Sequence, residues 1–484
     1  MKLSIILISL IFTSLTYAKT ISYTWTKNSE TTRNYGRAIL PARVLVLSSE
    51  RESLSEVNVK VIEEEFFEGV IRQAYSGTKC RCRENKNTQF SIEETIKKQK
   101  IEVTKLGNYQ GKNIFHVVVP MAKQSGKGLS VYKKAEITFP DEFSEITYVK
   151  NDSEKNVLVL FPNEFSREIS YLNEYLGDSG FNFKNINLRN IGLSTQKIQK
   201  FLKNYLSKNK VFHVILVGDE FKLPTFYRNT KFDAQTPTDL PYFTLGGQGD
   251  YIPDVLYSRI PISKPDQLKN LIDKYYSKDR ALTLYQEGVL GVSSNEGSNP
   301  SDKQYMETML KGLGDYQRFH LNQDDENSNP STFNHILQTG VRWVGYIGHG
   351  SGYGWPSFKI PYRVSDFRDL KEMTDFPIVF DVACQNGRFD NSGRIGEVLI
   401  KSPDVFGLPR GAVSYIGGTV DISWHPPAKM GIGMTKWLGE NKNGSIVDAL
   451  MAGQFYLMKN HSSAQDIKDN FVWFHLQGNP FSRL

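Results

Sequence analysis

Cysteine is scarce in this chain of 484 residues, and its scarcity is one of three absences that exclude whole classes of protein. Three cysteines are too few for a disulfide framework. After residues 1–18 no segment reaches about 18 uninterrupted apolar residues, so we expect no transmembrane segment in the mature protein. The 59 basic and 52 acidic residues give a net charge of +7 that no run concentrates. A nucleic-acid partner is therefore not expected.

Zinc-binding patterns are absent as well. The eight histidines form no His-Glu-x-x-His motif and no close spacing with cysteine. Two of the cysteines, Cys80 and Cys82, stand together, which leaves Cys384 alone. A lone cysteine in a large chain is either part of the core or a nucleophile.

Residues 1–18 have the pattern of a secretory signal peptide. Lys2 supplies a positive start, Ile5–Phe12 is an apolar stretch too short to span a bilayer, and Thr16-Tyr-Ala18 is a small-x-small cleavage site. A buried N-terminal strand or helix is the alternative, but the chain turns polar at Lys19. The pattern predicts export through the Sec pathway to an extracellular or periplasmic location.

The segment over residues 19–152 has the rhythm of a β-rich domain. Short alternating stretches such as Ala38–Ser48 and Ile114–Val119 are separated by polar turns. One helix is predicted over Glu56–Ala74. A polar run over residues 150–155 contains no apolar residue and is the predicted linker.

Beyond the linker, buried strands alternate with helical patterns, which predicts an α/β fold with a parallel sheet. Two subdomains are expected, over residues 153–283 and 284–484. In the second, four apolar runs end in polar or special residues, and the carboxyl ends of parallel strands meet at one edge of a sheet. The four residues expected to meet there are Glu296, His349, Cys384 and Trp424.

A thiol, an imidazole and a carboxylate at one edge are the groups of a thiol protease. Each residue alone has a plainer interpretation. Cys384 fits a buried, inert thiol and Glu296 fits a turn, while His349 between two glycines fits either role. His213 lies inside an apolar strand and is interpreted as a core histidine.

Three motifs together resemble the gingipain family of caspase-like cysteine peptidases. They are Gly348-His-Gly-Ser351, Phe380-Asp-Val-Ala-Cys-Gln-Asn-Gly387 and Gly417-Gly-Thr-Val-Asp-Ile-Ser-Trp424. The resemblance covers about residues 155–484. It implies a caspase-like catalytic domain in two subdomains, preceded by a β-rich prosegment domain, and a secreted enzyme made as a zymogen.

The resemblance also implies roles for individual residues. Cys384 is similar to the family's nucleophile, His349 to its general acid/base and Glu296 to the carboxylate that orients the histidine. The amides of Gly350 and Cys384 resemble the oxyanion hole. No cofactor is required for this chemistry.

A preference for arginine before the cut bond is implied by Ser301-Asp-Lys-Gln304, which resembles the segment that carries the pocket floor in arginine-specific gingipains. Asp302 is then the floor, and Val382 and Trp424 match the pocket walls. A carboxylate at the end of an apolar slot suits a guanidinium, so lysine is expected to be weaker. Asp302 also fits a helix N-cap, and the two roles are compatible.

Two further expectations follow from the resemblance. Arg81 or Arg83, in a basic stretch, occupies the chain's own pocket or is a processing site, so that the prosegment is a partner of the catalytic domain. A plain surface turn is the alternative. A structural calcium ion is the second expectation, with Asp219, Asp239 and Asp250 as weak candidate ligands that also fit turns.

Two functions remain open from the sequence. The first is a secreted cysteine endopeptidase that acts on proteins or peptides. The second is a non-catalytic exported binding or scaffold protein on the same fold, in which Cys384 is buried.

Overall fold

The computed structural model describes residues 18–24, 31–35, 38–68, 100–125, 128–150, 155–281, 288–297, 300–370, 373, 375–403 and 406–484. The signal pattern before Ala18, the arginine pair Arg81 and Arg83, and most of the linker lie outside them. No helix within the described ranges combines the length and apolarity needed to cross a membrane.

The N-terminal region is a sandwich of two antiparallel sheets, which confirms the β-rich expectation. Its strands are β1 (Ala18–Thr24), β2 (Thr31–Tyr35), β3 (Ala38–Ser49), β4 (Asn58–Glu68), β5 (Glu102–Tyr109), β6 (Lys112–Pro120), β7 (Ala122–Ser125), β8 (Gly128–Pro140) and β9 (Ser144–Glu145). One sheet has the order β1-β8-β4 with β7 on β8, and the other β2-β3-β6-β5 with β9 on β3. Leu45, Leu47 and Val117 of one sheet pack on Ile137 and Phe139 of the other.

The helix predicted over Glu56–Ala74 is wrong for the part that the structure describes. Residues Asn58–Glu68 form β4, which pairs antiparallel with β8. Its acidic residues meet basic partners across the sheet, with Glu63 2.7 Å from Lys134 and Glu64 2.9 Å from Lys123. These partners are distant in sequence, so a local helical pattern could not reveal them.

The five-stranded sheet of the sandwich is covered on both faces. Alternate residues along its strands point away from the sandwich core, and Val46, Leu106 and Ile114 join the core of the C-terminal region. The Tyr109 ring packs edge to face against the Phe455 ring, with 5.2 Å between the ring centroids. The N-terminal region is therefore docked by continuous apolar packing.

The C-terminal region is built on one ten-stranded sheet of order β11-β10-β12-β15-β23-β22-β21-β18-β16-β17. Its strands are β10 (Asn156–Phe161), β11 (Asn182–Asn187), β12 (His213–Val217), β15 (Leu256–Ile260), β16 (Gly288–Ser293), β17 (Gln317–Asn322), β18 (Val341–Ile347), β21 (Ile378–Val382), β22 (Ser414–Gly418) and β23 (Phe474–Gly478). Two short hairpins flank it, β13 (Phe226–Arg228) with β14 (Thr236–Thr238) and β19 (Gly354–Trp355) with β20 (Tyr362–Arg363).

Helices alternate with these strands, as expected. They are α1 (Ile169–Asp178), α2 (Thr195–Leu206), α3 (Asp266–Ala281), α4 (Asp302–Gly312), α5 (Pro330–Gly340), α6 (Ile395–Lys401), α7 (His425–Glu440), α8 (Ile446–Asn460) and α9 (Ala464–Trp473). Short 3₁₀ turns occupy Asn163–Phe165, Leu188–Asn190, Leu240–Tyr242 and Asp366–Asp369. His213 is a core histidine, because its Nε2 contacts the Ser258 hydroxyl at 2.9 Å and burial lowers its pKa to about 3.

The last strand decides which strand ends meet. β23 runs parallel to β15 on one side and antiparallel to β22 on the other. The strands on its two sides therefore point in opposite directions. Five neighbouring strands on one side of β23 are mutually parallel and end at the same edge of the sheet: β16, β17, β18, β21 and β22. We call this edge the site edge.

The docked N-terminal sheet also makes polar contacts with the C-terminal region at Gly107. The Asn108 amide donates to Asp250 Oδ1 at 3.0 Å, and the Tyr251 amide donates to the Leu106 carbonyl at 3.1 Å. A Cβ at Gly107 would lie 2.1 Å from Asp250 Oδ1, so only glycine allows this approach.

We expect Gly107→Ala to loosen this docking and to lower the free energy of unfolding by about 1–3 kcal/mol, as overpacking does. Urea unfolding and hydrogen exchange at Asn108 and Tyr251 measure both effects. Gly177→Ala in α1 is the control, since its Cβ would meet nothing closer than 4.0 Å. Unchanged exchange at both amides in Gly107→Ala would contradict the prediction.

Candidate active site

Glu296 and His349 come together at the site edge. Ser293 pairs with Ile347 across β16 and β18, so the segments that follow these strands start side by side. His349 Nε2 lies 2.5 Å from Glu296 Oε1, and both side chains are only partly exposed, at 27% and 40%. A hydrogen bond this short holds the imidazole in one orientation.

The backbone of His349 is held from two sides. Its carbonyl accepts a hydrogen bond from the Tyr346 hydroxyl at 2.7 Å, and its amide donates to Ser357 Oγ at 3.0 Å. The Ser357 amide in turn donates to the Tyr346 hydroxyl at 3.0 Å. Sequence reasoning missed both residues, because neither belongs to the motif around the histidine and their contacts depend on a loop closing back on β18.

Cys384 follows β21 and lies against the histidine loop. Ile347 pairs with Val382, so the loops that carry His349 and Cys384 leave adjacent strands at the same level. A Cβ at Gly350 would lie 2.1 Å from the Cys384 carbonyl oxygen and 2.7 Å from its amide nitrogen. Glycine is therefore required at this position, and the backbone amides of Gly350 and Cys384 are near neighbours.

Cys384 itself has no exposed surface. Burial is compatible with an inert thiol and with a nucleophile that a substrate reaches from the site edge. The neighbourhood favours the second interpretation, because a core cysteine has no need of a glycine packed on its backbone or of a carboxylate-bound histidine in the loop after the adjacent strand.

A tight turn follows the cysteine. Gln385 has a positive φ of 62°, which is rare for a residue with a side chain. Its amide donates to the Val420 carbonyl at 3.0 Å, and its side-chain amide donates to Asp421 Oδ1 at 2.9 Å. Strained backbone of this kind occurs at functional sites, and only the structure reveals it here.

Asp302 lies behind Glu296 and is fully buried. The Ser294 hydroxyl donates to Asp302 Oδ2 at 2.7 Å and accepts from the Glu296 amide at 3.1 Å. The Asp302 amide donates to the Glu296 carbonyl at 3.0 Å. The carboxylate that the sequence places in a substrate pocket is thus tied to the segment that carries Glu296.

The interpretation of Asp302 as a helix N-cap is wrong. Ser301 is the N-cap of α4, and its hydroxyl accepts from the Gln304 amide, while the Gln304 side chain returns to the Ser301 amide. This reciprocal pair is a capping box. Asp302 is the first helical residue, and its carboxylate turns toward Ser294.

Trp424 covers the histidine. The two rings meet edge to face at 6.0 Å between centroids, and a Cβ at Gly297 would lie 3.2 Å from Trp424 Nε1. Val382, the last residue of β21, is completely buried. The structure therefore brings Trp424 to Glu296 and His349, and places Val382 two residues before Cys384.

The three aspartates proposed for calcium serve other contacts. Asp239 forms a buried two-point pair with Arg259, at 2.7 Å for each oxygen. Asp250 accepts from three backbone amides, and Asp219 accepts from the Lys222 amide. Across the described part of the chain, no group of three or more His, Cys, Asp or Glu side chains is arranged to hold a metal ion. These residues therefore give the calcium hypothesis no support.

A model of peptidase family C25 matches residues 150–484. The chain belongs to this family. The resemblance to gingipains is thereby confirmed, and the C25 match begins where the sequence changes from a β-rich to an α/β rhythm.

Curated relatives of this C25 chain include gingipains R and Lys-gingipains. Gingipain R2 of Porphyromonas gingivalis strain W83 is 24% identical over 313 residues, which are 62% of this chain and 41% of that protein. Gingipain R1 of the same organism is 26% identical over 248 residues, 49% of this chain and 24% of that protein. Lys-gingipain W83 is 26% identical over 201 residues, which are 39% of this chain and 11% of that protein. The chain thus spans less than half the length of these relatives.

Solved structures confirm the caspase-like fold. The Arg-specific cysteine proteinase gingipain R superposes with a TM-score of 0.61 at 21% identity, over 70% of this chain and 80% of that one. A complex of the pro- and mature domains of a Porphyromonas gingivalis gingipain gives a TM-score of 0.60 at 21% identity, over 68% of this chain and 79% of that one.

Proposed function

We propose that this chain is an exported cysteine endopeptidase that cuts after arginine, and lysine more weakly, and that its N-terminal domain is a prosegment. The observation that carries the proposal is the 2.5 Å hydrogen bond between Glu296 and His349 at the sheet edge where Gly350 packs on the Cys384 backbone. Membership of a peptidase family supports it.

The reaction follows from these positions. Glu296 engages His349 Nε2, so Nδ1 is the nitrogen that exchanges protons with the reacting groups. Cys384 Sγ, as the thiolate, attacks the scissile carbonyl carbon, and the Gly350 and Cys384 amides stabilise the oxyanion. The imidazolium then protonates the leaving amine, the C–N bond breaks and a thioester remains. Water, deprotonated by His349, cleaves the thioester and restores the thiol.

The arginine preference rests on Asp302. The relatives gingipain R1 and gingipain R2 support a preference for arginine before the cut bond. Lys-gingipains are also relatives, so lysine is tested beside arginine. Asp302 has no exposed surface, so a guanidinium can reach it only if neighbouring side chains move when substrate binds. A carboxylate suits a guanidinium better than an ammonium, because two parallel hydrogen bonds form.

Export and latency rest on separate features. The signal pattern over residues 1–18 supports Sec export. The docked N-terminal sandwich supports a prosegment that stays in contact with the catalytic region, and a complex of pro- and mature domains exists for a structural neighbour. A non-catalytic scaffold is the alternative, favoured by the complete burial of Cys384.

Substitutions at the three site residues test the chemistry. We expect Cys384→Ala to abolish peptide hydrolysis and His349→Ala to lower kcat by about 10²–10⁴-fold, the usual loss of general acid–base catalysis. Glu296→Gln should cost less, because it removes orientation and charge but not the attacking group. Fluorogenic peptide assays measure this, with thermal melting to show that each variant folds. Full activity in Cys384→Ala would rule out the cysteine peptidase.

Specificity is tested by paired arginyl and lysyl fluorogenic peptides that differ only before the cut bond. We expect the arginyl peptide to have the higher kcat/KM. Asp302→Asn should lower kcat/KM for it by about 10–100-fold, which corresponds to the roughly 1.5–3 kcal/mol of a hydrogen bond to a charged group. Asp302→Glu keeps the charge and is the matched control. A preference for apolar side chains would remove Asp302 from the pocket.

Latency is tested at the arginine pair. No arginine occurs between Arg83 and Arg167, so an arginine-specific enzyme cannot process itself at the predicted linker. We expect the double variant Arg81→Ala, Arg83→Ala to fail to process itself or to show premature activity. N-terminal sequencing and activity before processing measure the two outcomes. Normal latency together with an unchanged processed N-terminus would exclude the pair.

A further inference from the structure

A buried carboxylate on β21, Asp381, stands three residues before Cys384. Asp381 has no exposed surface, in a strand whose other residues are apolar. Its Oδ2 accepts hydrogen bonds from Trp355 Nε1 at 2.6 Å, from the Tyr415 hydroxyl at 2.6 Å and from Asn386 Nδ2 at 3.0 Å. Three donors therefore converge on one oxygen atom.

The donors come from three different segments around the site. Trp355 lies on β19, in the loop that starts at His349, while Tyr415 lies on β22. Asn386 lies in the turn after Cys384. Asp381 thus joins the histidine loop, the cysteine turn and the neighbouring strand.

Asn386 closes a second connection between the same two loops. Its Oδ1 accepts from the Gly352 amide at 2.9 Å, so one amide side chain binds the histidine loop with its oxygen and Asp381 with its nitrogen. The Asn386 carbonyl also accepts from the Gly396 amide at 3.1 Å. The cysteine turn is consequently held at both its side chain and its backbone.

Burial makes these contacts rigid. A carboxylate without water must be compensated by hydrogen bonds, and each bond is stronger where the surroundings are apolar. Burial and the adjacent Asp381 carboxylate raise the pKa of Tyr415 well above its usual value, so its hydroxyl keeps the proton that it donates. Moving either loop breaks at least one bond to Oδ2 and leaves a buried polar group unsatisfied.

We propose that Asp381 is a positioning residue, which sets the distance between Cys384 and His349 by tying both of their loops to one carboxylate oxygen. The proposal rests on the proposed peptidase function. Asp381 acts through Trp355 and Asn386, which belong to the loops of His349 and Cys384. Its loss therefore affects the chemical step more than substrate binding.

Three variants and a control test this in the full-length chain. Asp381→Asn removes the charge, Asn386→Ser removes the bond to Asp381 and the bond to Gly352, and Tyr415→Phe removes one donor. Tyr242→Phe is the control, because it removes another buried tyrosine hydroxyl, which donates to the Pro224 carbonyl at 2.5 Å in the first subdomain. The readouts are kcat and KM on an arginyl peptide, melting temperature, and the pH profile of Cys384 alkylation by iodoacetamide, followed by mass spectrometry of the Cys384 peptide.

We expect Asp381→Asn and Asn386→Ser to lower kcat by about 10–100-fold, as small misplacements of reacting groups do, with KM changed less than about twofold. Alkylation of Cys384 should slow and its pH midpoint should rise, because the loop that carries the imidazole is no longer held against the cysteine turn. Tyr415→Phe should show the same pattern more weakly, and Tyr242→Phe should change only the melting temperature.

If the Asp381 and Asn386 variants lose thermal stability but keep the wild-type kcat and alkylation profile, Asp381 is only structural and the proposal is wrong. Should Asp381→Asn fail to fold, Asn386→Ser decides by the same criteria. If the wild-type protein is inactive but its Cys384 is still alkylated, only the proposed peptidase function is wrong. The alkylation profiles of the variants then decide whether Asp381 is a positioning residue. An inactive wild type that also resists alkylation contradicts both.

Discussion

The contact between the backbones of Gly350 and Cys384 is the constraint on which the site depends. It exists because β18 and β21 are adjacent and parallel, with Ile347 opposite Val382, so that two loops leave the sheet together. Any side chain at residue 350 would collide with the cysteine backbone. The same register leaves β16 next to β18, and this brings Glu296 to the far side of the imidazole. The carboxylate, the imidazole and the thiol are thus arranged in a row across three neighbouring strands.

The sheet that carries this row is shared with the rest of the molecule. β23 joins two groups of strands that run in opposite directions, so the first subdomain supplies support but none of the described catalytic candidates. Its aspartates illustrate this role. Asp239 neutralises Arg259 in the interior, where either charge alone would be costly, and the guanidinium also binds the carbonyls of Gly218 and Leu223. Carboxylates near strand ends therefore serve the fold in one subdomain and the site in the other.

The docked N-terminal sandwich has an energetic consequence for the proposed latency. Val46, Leu106 and Ile114 belong to the same core as the helices of the catalytic region, and Tyr109 packs on Phe455. Separating the two regions would expose this apolar surface to water on both sides, which opposes release. A cut in the connecting segment would therefore leave the sandwich bound until the apolar contact itself is lost. Persistent association after cleavage is the behaviour that this interface favours.

The sequence by itself determined the α/β class, the β-rich N-terminal domain and the identity of the residues at the site edge. Long apolar runs with abrupt polar ends, such as the one that stops at Cys384, carry this information locally, and the motifs around His349 and Cys384 are specific.

Only the tertiary structure decided that residues 58–68 are a strand, that Ser301 caps α4 in place of Asp302, and that Asp381 holds two loops together. In the first and last of these, the deciding partner is distant in sequence: Lys134 for Glu63, and Trp355 and Tyr415 for Asp381. For α4 the choice between adjacent residues depends on backbone geometry. A pattern along the chain records which side chains are apolar or charged, but pairing energies depend on which segments the fold brings into contact.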